Sequence, residues 1–164
     1  MKIFIGTDHA GFTFKEKLKV YLTGLGHEVE DKGAFAYDVN DDYPDFIRQV
    51  AEGVAREDGS FGIILGASGQ GEAMCANRVP GVRAGVFYGQ PSKLQTDAGG
   101  QVLDMIASVR MHQNANIISL GMRFLTEDEA KFATELFLNT KFSGEERHIR
   151  RIEKLKRPFH LIAS

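Results

Sequence analysis

Two patterns of apolar and polar positions alternate along the chain: short apolar runs, and longer stretches with helical spacing. The apolar runs predict five strands, within Ile3–Ile5, His27–Lys32, Phe61–Leu65, Val82–Phe87 and Ala115–Leu120. Helical spacing is clear after the first strand, at Phe14, Leu18 and Leu22. Gly26 is suited to end that helix, and Pro44 is suited to begin the next one. The chain is therefore predicted to alternate strand and helix throughout.

This order of elements predicts an α/β fold, namely a Rossmann-like three-layer α/β/α sandwich with a five-stranded parallel sheet. Right-handed crossovers between parallel strands place helices on both faces of such a sheet. The run His27–Lys32 is more polar than the others, which favours an edge position and the strand order 2-1-3-4-5. We interpret residues 1–142 as a single α/β domain and residues 143–164 as a C-terminal helical tail.

The segment after the fourth strand is the least regular part of the chain. Tyr88–Gln101 contains a proline and two adjacent glycines and has weak periodicity. We expect an irregular excursion there, followed by a helix over Val102–Met111. Long loops in compact domains are often functional, so this segment is a candidate for contact with a ligand.

Unusual residues follow the first and third strands, where an open parallel sheet binds ligands. Asp8 and His9 follow strand one, and the Gly-rich loop Gly66–Glu72 follows strand three. Glycines let the backbone approach a ligand closely, and free N–H groups at a helix start attract oxyanions. The loop matches neither common nucleotide-binding glycine fingerprint, so a tight strand-to-helix turn stays open as an alternative.

Glu72 adds a chemical possibility to this loop. Proton abstraction next to a carbonyl requires a carboxylate base beside N–H groups that stabilise the enediolate oxygen. Ser68 could donate its hydroxyl to that oxygen, or it could merely cap the helix. Glu72 itself could simply be an acidic residue favoured by the helix dipole.

The other candidate side chains also have a functional and a structural interpretation. Asp8 could cap the following helix, and His9 could simply pack. His112, before the fifth strand, could exchange protons near neutral pH or be a solvated loop residue. Arginine suits phosphate because its planar fork binds two oxygens, although the tail arginines could equally form a solvated helix face. The candidate arginines are Arg123, Arg147, Arg150 and Arg151.

Composition narrows the class of ligand. The 164-residue chain has a formal net charge of −2, which indicates neither nucleic acid nor a membrane as a partner. No apolar run approaches the ~20 residues of a membrane span. Cys75 is the single cysteine, so an internal disulfide is excluded, a cysteine metal site is disfavoured, and a cytoplasmic location is expected.

Motifs in a characteristic order extend along nearly the whole chain. They lie within Gly6–Phe12, Asp41–Pro44, Gly66–Glu72, Ala76–Ala84, His112–Asn116, Gly121–Arg123 and Arg147–Ile152. Together they resemble the ribose-5-phosphate isomerase B family, which includes the galactose-6-phosphate isomerases of the lactose pathway. The order of the motifs is far more specific than any one of them.

The resemblance implies a homodimeric aldose–ketose isomerase without metal or other cofactor, acting on a small phosphorylated sugar. Glu72 resembles the carboxylate base of one subgroup, which transfers a proton between C1 and C2 of the open sugar. Another subgroup uses a cysteine at the position of Gly66, so Cys75 is not expected to inherit that role. The pocket that stabilises the enediolate in the family corresponds here to Ser68, Gly69, Gly71 and the N–H of Glu72.

Asp8 and His112 resemble the pair that opens the sugar ring. Other family positions bind the substrate, mostly its phosphate, and they correspond here to His9, Tyr43, Asn77, Arg123, Arg147 and Arg151. In the family the tail reaches the neighbouring subunit. We therefore expect Arg147 and Arg151 to serve the site of a second copy in a homodimer, with a tetramer as a further possibility.

The segment Gly89–Val109 is longer than the family pattern leads us to expect. The resemblance favours conversion of ribose 5-phosphate to ribulose 5-phosphate through a cis-enediolate. The long segment leaves open an isomerase of a six-carbon sugar phosphate, such as allose 6-phosphate or galactose 6-phosphate. A non-catalytic module that binds a sugar phosphate or a nucleotide is the alternative from a different class.

Overall fold

All five predicted strands form, and each is followed by a helix. The computed structural model describes residues 1–93, 95–97 and 99–156. The strands are β1 Lys2–Thr7, β2 Glu28–Asp31, β3 Phe61–Gly66, β4 Ala84–Phe87 and β5 Ile117–Gly121. The helices are α1 Phe12–Gly24, α2 Tyr43–Arg56, α3 Gln70–Ala76, α4 Met105–Gln113, α5 Glu127–Asn139 and α6 Glu146–Leu155.

The strands form one parallel sheet with the order β2-β1-β3-β5-β4. The predicted α/β sandwich is confirmed, and β2 lies at the edge as expected. The order differs from the predicted 2-1-3-4-5 because the last two strands exchange places. All five residues of β5 are buried, whereas three of the four residues of β4 are partly exposed. The more apolar strand therefore takes the interior position, beside β3, and β4 becomes the second edge.

The core has two parts, one on each face of the sheet. Helices α1, α4 and α5 cover one face, where Leu18 and Phe137 are fully buried against Ile5 and neighbouring residues. Helices α2 and α3 cover the other face, where Val50 packs in a second cluster with Phe4. Alternate residues of β1 point to opposite faces, as the pleat requires. This is the three-layer arrangement predicted from the order of elements.

The segment between β4 and α4 contains a short two-stranded turn. Thr96 and Val102 form an antiparallel bridge, and the N–H of Leu103 donates to the carbonyl of Gln95 at 2.9 Å. Helix α4 begins at Met105 rather than at Val102 as predicted, because the carboxylate of Asp104 accepts the N–H groups of the first turn. We refer to residues 95–97 and 99–103 as the hairpin segment.

The tail forms helix α6, which packs on α4 through the side chain of His148. The last predicted tail residues, 157–164, lie outside the described residues. Among residues that the structure describes, no helix has the length and apolar character needed to cross a membrane.

Candidate active site

The Gly-rich loop is held in place by the carboxyl end of β5. The N–H groups of Met122 and Arg123 donate to the carbonyls of Gly66 and Ala67 at 2.9 and 3.0 Å. The hydroxyl of Ser119 donates to the carbonyl of Gly69 at 2.6 Å. These bonds require β5 to lie directly beside β3. The observed sheet order is therefore part of what shapes the loop.

Glu72 lies in the first turn of α3 and is only 5% exposed. A Cβ atom built on Gly66 would lie 1.8 Å from Oε1 of Glu72, so the carboxylate occupies the space that a side chain at position 66 would need. A side chain at 66 and a carboxylate at 72 thus exclude each other sterically. The lack of a side chain at position 66 therefore gives the Glu72 carboxylate its space.

Burial raises the pKa of Glu72 above its ordinary value, because the ionised carboxylate loses water. Hydrogen bonds from the N–H groups of Glu72 and Gly69 act in the opposite direction, while the negative charge of Asp8 raises the pKa further. A carboxyl group with a raised pKa is a stronger base once ionised, which suits proton abstraction from carbon.

Asp8 lies at the end of β1 and is 6% exposed. Its Oδ1 accepts the N–H of Ala10 at 3.0 Å, whereas helix α1 begins after Gly11 without a side-chain cap. The cap interpretation of Asp8 is therefore not what the geometry shows. Burial raises the pKa of Asp8, and the charge of Asp41 adds to this effect. Asp8 and Glu72 are two buried carboxyl groups that interact electrostatically.

His9 is paired with Asp41, which lies two residues before the start of α2. Nδ1 of His9 lies 2.7 Å from Oδ1 of Asp41, and the same oxygen accepts the backbone N–H of His9 at 3.1 Å. This hydrogen bond is the main reason why the pKa of His9 is raised. In the sequence, Asp41 stood out only as the first residue of the motif Asp41–Pro44, and nothing there linked it to His9. We call Asp8, His9, Asp41 and Glu72 the carboxylate cluster.

Three members of the carboxylate cluster also satisfy the distance criterion for a metal site. Ligand atoms of Asp8, His9 and Asp41 all lie within 4.8 Å of one another. However, Nδ1 of His9 and an oxygen of Asp41 already satisfy each other. The arrangement works as a hydrogen-bonded pair beside a buried carboxyl group, and we assign no metal to it.

Several predicted residues surround the carboxylate cluster. The hydroxyl of Tyr43 lies 3.0 Å from the position a Cβ on Gly71 would take. Gly69 has a φ of +77°, which favours glycine, and Oγ of Ser68 accepts the N–H of Gln70 at 3.3 Å. Arg123 follows β5, and its charge acts on His9. The structure thus brings most predicted residues to the carboxyl edge of the sheet.

A second group of predicted residues lies elsewhere in the chain. The predicted residues His112, Arg147 and Arg151, together with His148, which was not predicted, line a cavity of about 200 Å³ with part of the hairpin segment, and we call these four the basic cluster. The rings of His112 and His148 have centroids 4.4 Å apart. Burial and the nearby cationic groups lower the pKa of His148. Nε of Arg147 lies 2.7 Å from a carboxylate oxygen of Glu145. The side chains of Arg147 and Arg151 are both exposed.

The two clusters occupy opposite ends of the sheet within one chain. Asp8 and Glu72 follow the carboxyl ends of their strands, whereas His112 is in the last turn of α4, just before the amino end of β5. The five residues of β5 separate these edges by roughly 15 Å. A single chain therefore does not bring Asp8 and His112 together.

Asn77 and Cys75 differ in how well the structure fits their expected roles. The side-chain amide of Asn77 donates to the carbonyl of Ala84 at 3.0 Å and accepts its N–H at 2.8 Å. That side chain is occupied in anchoring the start of β4, and its role in substrate binding stays a prediction. Burial raises the pKa of Cys75, which disfavours a thiolate nucleophile, as expected.

The fold and the carboxylate cluster define a class of protein. It is a Rossmann-like α/β protein with a buried carboxylate beside backbone N–H groups, equipped to move a proton next to a carbonyl. A family model described as Ribose/Galactose Isomerase matches residues 3–155, and the chain belongs to this family. The resemblance inferred from the ordered motifs is confirmed.

Curated relatives and solved structures agree with this assignment. Ribose-5-phosphate isomerase B of Mycobacterium tuberculosis is 39% identical over 155 residues, covering 94% of this chain and 88% of that protein. Its counterpart in Escherichia coli is 31% identical over 154 residues, with 94% and 93% covered. A crystal structure of the Mycoplasma genitalium enzyme with bound ribulose-5-phosphate superposes with a TM-score of 0.82 at 36% identity, covering 94% of this chain and 93% of that one.

Proposed function

We propose that this protein is an aldose–ketose isomerase that interconverts ribose 5-phosphate and ribulose 5-phosphate, with Glu72 as the base. The observation that carries this proposal is the buried carboxylate of Glu72, fitted against Gly66 at the start of the N–H-rich loop. Glu72 removes a proton from one carbon of the open sugar and returns it to the next. The enediolate oxygen accepts hydrogen bonds from the hydroxyl of Ser68 and from the N–H of Gly71, while the N–H of Gly69, which bonds the Glu72 carboxylate, holds the base beside it.

Ring opening needs a proton donor and a proton acceptor next to the sugar ring. Asp8 supplies one of them from the carboxyl edge, and its raised pKa suits a group that exchanges protons. The family resemblance gives the other role to His112. Since Asp8 and His112 lie at opposite edges of the sheet in one chain, we propose that His112 comes from a second copy.

The phosphate of the substrate requires positive charge, which the two clusters hold in different places. His9 and Arg123 lie at the carboxyl edge, and Arg147 and Arg151 are exposed on α6. We propose a homodimer in which α6 of each copy brings its basic cluster to the carboxylate cluster of the other. Three residues of the edge strand β4 are partly exposed, which supports an interface at the β4 edge of the sheet.

Ribose 5-phosphate is favoured over six-carbon sugars by the nature of the relatives. Those named above are ribose-5-phosphate isomerases, and one solved structure holds ribulose-5-phosphate. We further propose a cytoplasmic location, which the lone, partly buried Cys75 supports. A non-catalytic sugar-phosphate module is not favoured, because such a module has no use for two buried carboxyl groups with raised pKa values.

The test is a set of parallel isomerisation assays in deuterated water. Ribose 5-phosphate, allose 6-phosphate and galactose 6-phosphate are compared, and deuterium incorporation at C1 or C2 reports proton transfer. We expect turnover and exchange with ribose 5-phosphate. Glu72→Gln should lower kcat by about 10³-fold or more while phosphate-sugar binding survives.

Glu57→Gln is the matched control, because Glu57 is an exposed glutamate away from the loop. It should behave as the wild type does. Near-normal turnover in Glu72→Gln would show that another group is the base. Exchange with none of the three sugars would exclude an isomerase and leave a binding module.

A further inference from the structure

Asp41 forms a pair with His9 that the proposed reaction does not yet use. Its side chain is 9% exposed, and one oxygen serves both the ring Nδ1 and the backbone N–H of His9. Within the described part of the chain, the other oxygen, Oδ2, is buried without a hydrogen-bond partner. Burial of an ionisable side chain with one unsatisfied oxygen costs free energy, so a compensating role is expected.

The backbone holds this pair together. The N–H of Thr7 donates to the carbonyl of Gly33 at 2.8 Å, and the N–H of Ala34 donates to the carbonyl of Thr7 at 2.7 Å. The segment that follows β2 is therefore fastened to the end of β1, the strand that leads into His9. Asp41 comes near the end of that segment, next to Asp42, the residue that precedes α2. Its contact with His9 joins two fixed pieces of backbone.

The pair leaves one nitrogen of the ring available. Asp41 accepts the proton on Nδ1, and among the described residues Nε2 of His9 has no hydrogen-bond partner. The ring of Tyr37 approaches that of His9 edge-on, with centroids 6.4 Å apart. The His9 side chain is 24% exposed, so a ligand can reach it. The contacts with Asp41 and Tyr37 thus fix the position and the orientation of the His9 ring from the side that faces away from solvent.

We infer that Asp41 is a positioning residue for the phosphate of the substrate: it fixes the ring of His9 through Nδ1, so that Nε2–H is presented to the phosphate as a charged donor. The inference rests on the proposed function, which makes His9 a phosphate ligand. A charge-assisted bond from an imidazolium to a phosphate is stronger than one from a neutral ring. Asp41 itself does not touch the substrate.

The charged groups around His9 determine the sign of the pH effect. Asp41 and Asp8 favour the protonated ring, whereas Arg123 opposes it. Replacing the Asp41 carboxylate by a neutral amide removes the largest favourable contribution, so the pKa of His9 falls. The variant then loses the imidazolium at a lower pH than the wild type does. Phosphate binding should suffer most on the alkaline side.

The experiment measures KM for ribose 5-phosphate at pH 6 and pH 8 in wild type, Asp41→Asn, Asp41→Ala and Asp42→Asn. Asp42→Asn is the matched control, since Asp42 is the exposed neighbour of Asp41. In Asp41→Asn we expect KM to rise about tenfold at pH 8 and much less at pH 6, with kcat nearly unchanged. In Asp41→Ala the ring also loses its Nδ1 acceptor, so KM should rise at both pH values.

Titration of the His9 ring by NMR and binding of inorganic phosphate are followed in the same four proteins. Both measurements test the inference even if the wild type does not turn over, a result that would count against the proposed function alone. The His9 titration should move to lower pH in Asp41→Asn. An unchanged titration, or a KM that rises equally at both pH values, would overturn the inference. Equal KM values in Asp41→Asn and Asp42→Asn would overturn it as well.

Discussion

The carboxylate cluster and the basic cluster are built in contrasting ways. Asp8 and Glu72 follow buried strands, are at most 6% exposed and are fixed by backbone hydrogen bonds. Arg147 and Arg151 are exposed on α6, a helix that contacts the rest of the chain mainly through α4. Within one chain, the carboxylate cluster is thus buried and ordered, whereas the arginines of the basic cluster are displayed on the surface. The proposed homodimer, in which the two clusters meet between copies, would account for this contrast.

After removal of the base itself, the largest effect is expected from filling the space beside it. In Gly66→Ala, the new methyl group would collide with the carboxylate of Glu72 and displace it. Misplacing a catalytic group by about 1 Å can cost 10²-fold, so kcat should fall by about 10²-fold or more. Steady-state kinetics and thermal unfolding separate this effect from misfolding.

Gly24→Ala is the control for Gly66→Ala. Gly24 lies in helix α1, and a Cβ there would meet nothing within 4 Å. This variant should keep full activity. If Gly66→Ala folds and retains normal kcat, the carboxylate of Glu72 does not need the space beside Gly66, and the steric argument for this base fails.

A variant of the basic cluster should change KM rather than kcat, which would distinguish its role from that of the carboxylate cluster. Arg151→Ala should raise KM by about tenfold or more and change kcat little, because a charge-assisted bond to the phosphate is lost in ground state and transition state alike. Arg150→Ala is the control, since Arg150 is its exposed neighbour on α6 and does not line the cavity. An unchanged KM in Arg151→Ala would exclude Arg151 from the phosphate site.

The smallest effect concerns the electrostatic coupling inside the carboxylate cluster. The negative charge of Asp8 raises the pKa of Glu72, and a base must be ionised to act. Asp8→Asn should therefore move the acid limb of the kcat profile to lower pH, in addition to lowering the plateau. The titration of the Glu72 carboxyl group by ¹³C NMR reads the same shift directly. If that titration is the same in Asp8→Asn as in Asp42→Asn, the two carboxyl groups are not coupled.

The sequence was sufficient to predict the strands, the position of the Gly-rich loop and the placement of a carboxylate, Glu72, beside it; the burial of Glu72 was seen only in the structure. Apolar runs and glycines signal these features locally. The strand order was harder to predict, because it depends on competition between β4 and β5 for one interior position. The content of β5, with Ile117, Ile118 and Leu120, was a usable signal for that position.

The pairing of Asp41 with His9 could not be predicted from the sequence. The two residues are 32 positions apart, and their contact depends on hydrogen bonds between Thr7 and the segment after β2. The separation of His112 from Asp8, by contrast, follows from the predicted parallel sheet, because His112 precedes the fifth strand and Asp8 follows the first. Motif matching gives which residues act together, but not whether one chain can bring them together.

The central claim, that the two clusters meet between copies, is tested most directly by mixing two inactive variants. Glu72→Gln and His112→Ala are unfolded together and refolded at equal concentrations, and isomerase activity is compared with that of each variant alone. If the clusters meet between copies, a hybrid dimer has one site with both defects and one intact site. Random pairing should then restore about a quarter of the wild-type activity. If both residues serve the site of their own chain, every site in the mixture is defective, and activity that stays at the level of the single variants would contradict the account.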